Sequence, residues 1–297
     1  MADVLTGQGC SWTFEAGAVR VRFHRAMKVP KFLQELGERL IPYEALADVS
    51  LTPGKRGTIV LRAMPRQGAD PVLIAAAGQL KETLDPYRLV LPADRETLAD
   101  YYAEEIRRSI TDSGPAARCL VQAPPTPRSF KAWDGQAHFD GEAVRFQWFW
   151  SSAESVKYRA GDQRFPISEI EGVEWRSPDV FNGYLRLRVR GVEAPKEPEK
   201  DPASVVFGMG YGLTAESLPF AAALVGAMSA LDGDRRAAEL TPAEPAADPV
   251  TEEPVVAVID RGEDIPALIR KLGELRDAGL LTEEEFQAKK VELLSRL

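Results

Sequence analysis

The chain has 297 residues, 44% of them hydrophobic and 28% charged, with a formal net charge of −8. That length allows two or three domains, and the composition is that of a soluble globular protein. Two widely separated cysteines, Cys10 and Cys119, argue against a disulfide framework and for a reducing cytoplasm; no run approaches a membrane span, and the opening MADVLTGQGCSW does not read as a secretory signal.

In chain order, the first strand signal lies in 13–23, where Val19, Val21 and Phe23 alternate with Arg20, Arg22 and His24. Strands also follow in 41–49 (IPYEALADV) and 57–63 (GTIVLRA), the proline suiting a strand start or edge. A helix then closes the unit, with Asp94 as expected N-cap and Leu98, Tyr101, Tyr102 and Ile106 on one face. This plan recurs. Residues 138–148 (HFDGEAVRFQW), 165–173 (FPISEIEGV) and 183–189 (GYLRLRV) match the three blocks at offsets of 125, 124 and 126. Three matches in one order at nearly one spacing mark a tandem duplication. The second closing helix is expected to have Thr214 as cap and Leu218, Ala221, Val225 and Met228 as its stripe, with Pro219 in the first turn or so.

These signals predict an α+β protein. Residues 1–112 and 130–232 form two repeats, each a bent antiparallel sheet or open barrel with a helix over one open end. Residues 113–129 form a Pro-rich semi-rigid connector. Residues 233–263 read as a disordered acidic linker. From 232 to 263 there are nine acidic and three basic residues, and from 264 to 297 seven acidic and six basic. The negative charge therefore belongs mostly to the linker. The body is near neutral, and no nucleic-acid partner is expected.

The last segment, 264–297, reads as a helical hairpin. Ile265, Leu268, Ile269, Leu272 and Leu275 form a stripe, and Gly279 sits where a left-handed C-cap is wanted. Thr282 and Glu285 make a capping box, while Leu281 and Phe286 make a hydrophobic staple. Phe286, Leu293, Leu294 and Leu297 give the second helix an apolar face. So small a unit, without Cys or His, needs a partner surface to stay folded. The residues Leu275, Gly279, Leu281, Thr282, Glu284, Glu285, Phe286, Lys290, Leu293 and Leu294 resemble the pattern of the bacterial short C-terminal domain, SHOCT. That resemblance implies oligomerisation or recruitment without catalysis. The duplicated body resembles an actinobacterial family of unknown function that is commonly paired with such tails. It implies a pleckstrin-homology-like fold and a binding scaffold.

No catalytic, cofactor or metal residues are assigned. His24 and His138 have no Cys or carboxylate at metal-ligand spacing, and structural or surface roles are the preferred reading. No nucleophile elbow occurs. FGMGYGLT, residues 207–214, precedes a helix but lacks the elements of a P-loop, so a flexible turn is preferred over a phosphate cradle. Arg20 and Arg22, and separately Arg186, Arg188 and Arg190, form stripes that could meet an anionic ligand or lipid; a solvated strand face balanced by nearby carboxylates is the preferred alternative. Phe149 and Trp150 form another candidate contact, with core packing preferred.

The expected function is a non-enzymatic cytoplasmic scaffold. Its body would recognise a partner. Its tail would self-associate or capture another protein through Leu268, Leu272, Leu275, Leu281, Phe286, Leu293 and Leu294. The alternatives are a membrane-stress adaptor, peripheral at the inner face, with its Arg stripes on anionic lipid, and an enzyme with a dispersed site.

Overall fold

A computed structural model describes residues 4–240 except Phe181, with the side chains of 236–240 set aside. The hairpin expected at 264–297, with Leu268, Leu272, Leu275, Leu281, Phe286, Leu293 and Leu294, lies outside the described residues, as does most of the acidic linker. The first repeat opens with β1 (Val4–Thr6), β2 (Cys10–Phe14), β3 (Ala18–Phe23), α1 (Lys31–Leu36) and β4 (Glu38–Pro42). It continues through β5 (Leu46–Pro53), β6 (Thr58–Pro65), α2 (Pro71–Ala76), β7 (Arg88–Pro92) and α3 (Glu96–Ser109). The second runs through β8 (Arg128–Lys131), β9 (Gly135–Phe139), β10 (Ala143–Trp148), α4 (Ser155–Ala160) and β11 (Gln163–Pro166). Then come β12 (Ile170–Arg176), β13 (Tyr184–Val189), β14 (Ser204–Val206) and α5 (Thr214–Leu240).

Each repeat holds two antiparallel sheets rather than one bent sheet. The orders are β1-β2-β3-β4 with β5-β6-β7, and β8-β9-β10-β11 with β12-β13-β14. A single 3-10 turn, at Tyr43–Ala45 and at Ile167–Glu169, separates the two ladders. The duplication reaches fine detail: the ladder slips between Leu46 and Asp48 in one repeat and between Ile170 and Gly172 in the other. Alternation drives the strands inward on one face. Trp12, Val19, Val21, Ile41, Leu46, Leu61 and Leu89 are fully buried or nearly so in the first repeat, and Phe139, Val144, Phe146, Leu185 and Val205 in the second. Burial of each such side chain contributes about 1.5–3 kcal/mol.

The closing helices differ from expectation at their ends. Asp94 lies in a 3-10 turn, and Arg95 precedes α3 without a side-chain cap. The buried stripe of α3 is Ala99, Tyr102, Ala103 and Ile106, whereas Leu98 and Tyr101 are exposed. Tyr102 stacks on Phe14 at 3.9 Å while α3 packs on β5 and β6, so the helix touches both sheets. Thr214 is the first helical residue of α5, and the Leu213 carbonyl accepts the bond from Ser217 N.

Helix α5 runs eight residues past the expected linker start, to Leu240. Contrary to the expectation that no run approaches a membrane span, Thr214–Arg235 is long and apolar enough to cross a membrane by length and composition. Its apolar residues instead serve as core: Leu218, Phe220, Ala221, Ala222, Ala223 and Leu224 are buried against α1, α2, β8 and β12. Gly226 permits this approach, since a Cβ there would lie 2.3 Å from Ala123 Cβ. The insertion carrying α2 has no helical counterpart in the second repeat and joins the two. Gln79 Nε2 donates to Trp175 O, Gln79 Oε1 accepts from Ser177 N, and Lys81 pairs with Asp179. The connector is also folded down: Leu120 N and Val121 N both donate to Ala69 O.

Candidate functional site

The sequence-predicted arginines are mostly neutralised. Arg20 bonds Glu15 and Glu38, and Arg22 also reaches Glu38. On β13, Arg186 pairs with nearly buried Asp201, and Arg190, just past the strand, pairs with Glu171. Arg188 is exposed, with no carboxylate partner among the described residues. The two groups occupy strands of different sheets in different repeats. This geometry favours the solvated-strand reading. Among the described residues no group of three or more His, Cys, Asp or Glu could hold a metal. Burial pushes the Cys10 thiol up to about 11 and raises Cys119 as well, so both remain thiols near neutrality.

A less obvious site lies at the loop end of each repeat, where the turn before β2 or β9 meets α1 or α4. In the second repeat it is closed. Lys157 of α4 is fully buried; its Nζ lies 2.6 Å from Asp134 Oδ2 and donates to Ser204 O at 2.8 Å. The ammonium sits 4.9 Å from the Trp148 ring centroid. Asp134 Oδ1 accepts from Val206 N, which ties the β8–β9 turn to β14. Desolvation moves both groups toward their neutral forms, raising the Asp134 pKa and lowering that of Lys157, while their mutual attraction opposes it.

The repeat offsets place Gly9 opposite Asp134, Phe23 opposite Trp148 and Leu33 opposite Lys157. The ladder registers of β5-β6-β7 and β12-β13-β14 place Arg88 opposite Ser204. All four first-repeat residues line an open cavity of about 580 Å³. Its polar wall holds Gln8, His24, Lys28, Glu82, Asp85 and Arg88, with Cys10 among its lining groups. His24 Nε2 lies 2.8 Å from Ser11 Oγ, and Arg88 Nε lies 3.2 Å from Glu82. Both charge signs therefore face a cleft with apolar side chains among its lining. Periodicity could not reveal this site. The available signal was the pairing of an apolar position with a lysine between copies, Leu33 against Lys157.

FGMGYGLT forms a turn, as preferred: Gly208 and Tyr211 pair, and Gly212 takes φ +67°. Phe149 is half-buried, but Trp150 is 83% exposed, against the preferred expectation of core packing. Its chain turns away from the sheet at the end of β10, so the period-two argument no longer applies to it.

A family model described as "Domain of unknown function (DUF4429)" matches residues 12–107 and 137–225. A model described as "Short C-terminal domain" (SHOCT) matches residues 267–294. A comparison with curated proteins finds no match. The two matched stretches cover the body of both repeats and more than half of the chain, so this protein belongs to the DUF4429 family, as a tandem pair of its domains followed by a short C-terminal domain.

Proposed function

We propose that this chain is a non-enzymatic binding scaffold, with recognition in the first repeat and association in the C-terminal hairpin. The observation that carries the reading is the difference between equivalent positions. The second repeat fills its loop-end site with Lys157 and Asp134, whereas the first leaves about 580 Å³ open. Four strands, then three, then a helix in each repeat support a pleckstrin-homology-like unit. The second repeat then serves as a buttress, joined to the first by α2 and α5. The expected ligand is a polypeptide segment, because the cavity offers both charge signs with apolar side chains among its lining. A cytoplasmic setting suits the free thiols. The tail adds avidity by joining copies or recruiting a second protein.

Ala26 is exposed and lines the mouth of the cavity. Ala26→Trp should block entry and leave the fold intact. Affinity capture with intact chain and with this variant should lose one set of partners selectively. An unchanged set of partners would reject the cavity as the recognition site.

A further inference from the structure

Three loops of the second repeat bring large apolar side chains to one end of the domain. Trp133 lies in the β8–β9 turn, Trp150 follows β10, and Met209, Tyr211 and Leu213 lie between β14 and α5. Trp133 is 51% exposed, Trp150 83% and Met209 97%, and Tyr211 and Leu213 are also exposed. The loops are joined to one another. Trp133 meets Tyr211 edge to face at 5.9 Å, Gly208 packs beneath Trp133, and Ser152 Oγ donates to Trp133 O. Phe149 N donates to Asp134 O, tying the Trp150 loop to the same turn. Exposed large apolar side chains gathered in this way mark an interaction surface.

The fold does not require these residues. By the repeat offset, Gln8 stands where the second repeat has Trp133, and Arg25 where it has Trp150. Across 131–135, 149–153 and 207–213 the charged residues are Lys131, which is exposed, and Asp134, which is buried against Lys157; exposed Glu154 and Glu216 follow the second and third segments. Met209 and Trp150 project with almost no protein around them, which suits a deformable surface better than a rigid pocket. Two tryptophans, a tyrosine and a methionine beside an exposed cation match the chemistry of a bilayer interface bearing anionic headgroups.

We propose that the second repeat inserts this aromatic tip into the interfacial region of an anionic bilayer. The route is separate from the arginine strands and independent of the first-repeat cavity. The Lys157–Asp134 pair beneath the tip holds its loops in place.

The test is flotation of the intact chain with vesicles of phosphatidylcholine alone and of phosphatidylcholine with phosphatidylserine. Trp150→Ser combined with Met209→Ser removes the two most exposed groups and disturbs no core contact. It should lower the bound fraction on mixed vesicles at least about tenfold. Arg188→Gln with Arg190→Gln should retain most binding, and Trp150→Phe should retain part of it. Brominated lipid should quench wild-type fluorescence more than that of Trp150→Phe. The proposal is overturned if wild type ignores both vesicles, if the tip variant binds equally well, or if the arginine variant alone loses binding. It is also overturned if the tip variant lowers oligomeric mass without lipid, which would make the patch a contact between copies.

Discussion

Replacing Lys157 with Met isolates the energetics of the closed site. The substitution keeps an unbranched side chain in the helix but removes the cation bonded to Asp134 and Ser204 O. Asp134 is only 1% exposed, and its remaining backbone partner is Val206 N. Removing one member of a buried ion pair leaves the other charge uncompensated and costs about 3–5 kcal/mol. Met has no charge, so the pH dependence then reports one carboxylate. Burial already raises the Asp134 pKa in the intact pair, and loss of Lys157 raises it further. A carboxylate with a raised folded-state pKa contributes its stability below the unfolded value, about 3.9, and loses it as pH rises through the folded value. The deficit of Lys157→Met should therefore be largest near neutrality and shrink toward pH 4. Urea denaturation followed by circular dichroism at both pH values measures it, with a neutral midpoint displaced by about 1 M or more. Adding Asp134→Asn keeps the acceptor for Val206 N, removes the charge and should recover about half of the loss at neutral pH. A deficit below about 1 kcal/mol, or one unchanged by pH, would refute the reasoning.

Three further substitutions test other parts of the chain. Asp70→Ala removes the bidentate partner of buried Arg39, the acceptor of the Tyr87 hydroxyl and the cap of α2 together. It should cost about 3–5 kcal/mol in thermal or urea melts, and Asp70→Asn should cost less because the cap survives. Gly212→Ala places a Cβ at φ +67° within 2.1 Å of the Phe207 ring, and should cost about 1–3 kcal/mol by displacing that ring, visible in the near-ultraviolet spectrum. Phe286→Ala should lower the mass of the full chain in light scattering while the main thermal transition of that chain stays as it is in the parent; an unchanged mass would remove the tail from association.

The repeat was legible because three blocks kept their order and spacing, and the strands because Val19, Val21, Phe23 and their counterparts alternate. The division into two sheets was not, because the 3-10 turns at Tyr43–Ala45 and Ile167–Glu169 lie inside runs that still read as extended. The length of α5 was missed because DGDRRAAEL has linker composition, although it continues a helix nucleated by buried Leu218–Leu224 packing. The loop-end sites are tertiary. Gly9, Leu33 and Val90 carry no common pattern, and only the fold sets them around one cavity. The exposed tip was half visible in Phe149 and Trp150, whereas Trp133, Met209 and Tyr211 join it through loop geometry.

The most direct test of the division between recognition and association is quantitative capture beside mass measurement for three chains: the intact protein, a chain ending at Leu240, and Ala26→Trp. The chain ending at Leu240 should keep the cavity-dependent partner and lose oligomeric mass. Ala26→Trp should lose that partner and keep its mass. If Ala26→Trp captures the same partner as the intact chain, or if truncation removes that partner while Ala26→Trp does not, recognition does not reside in the first repeat and the account is contradicted.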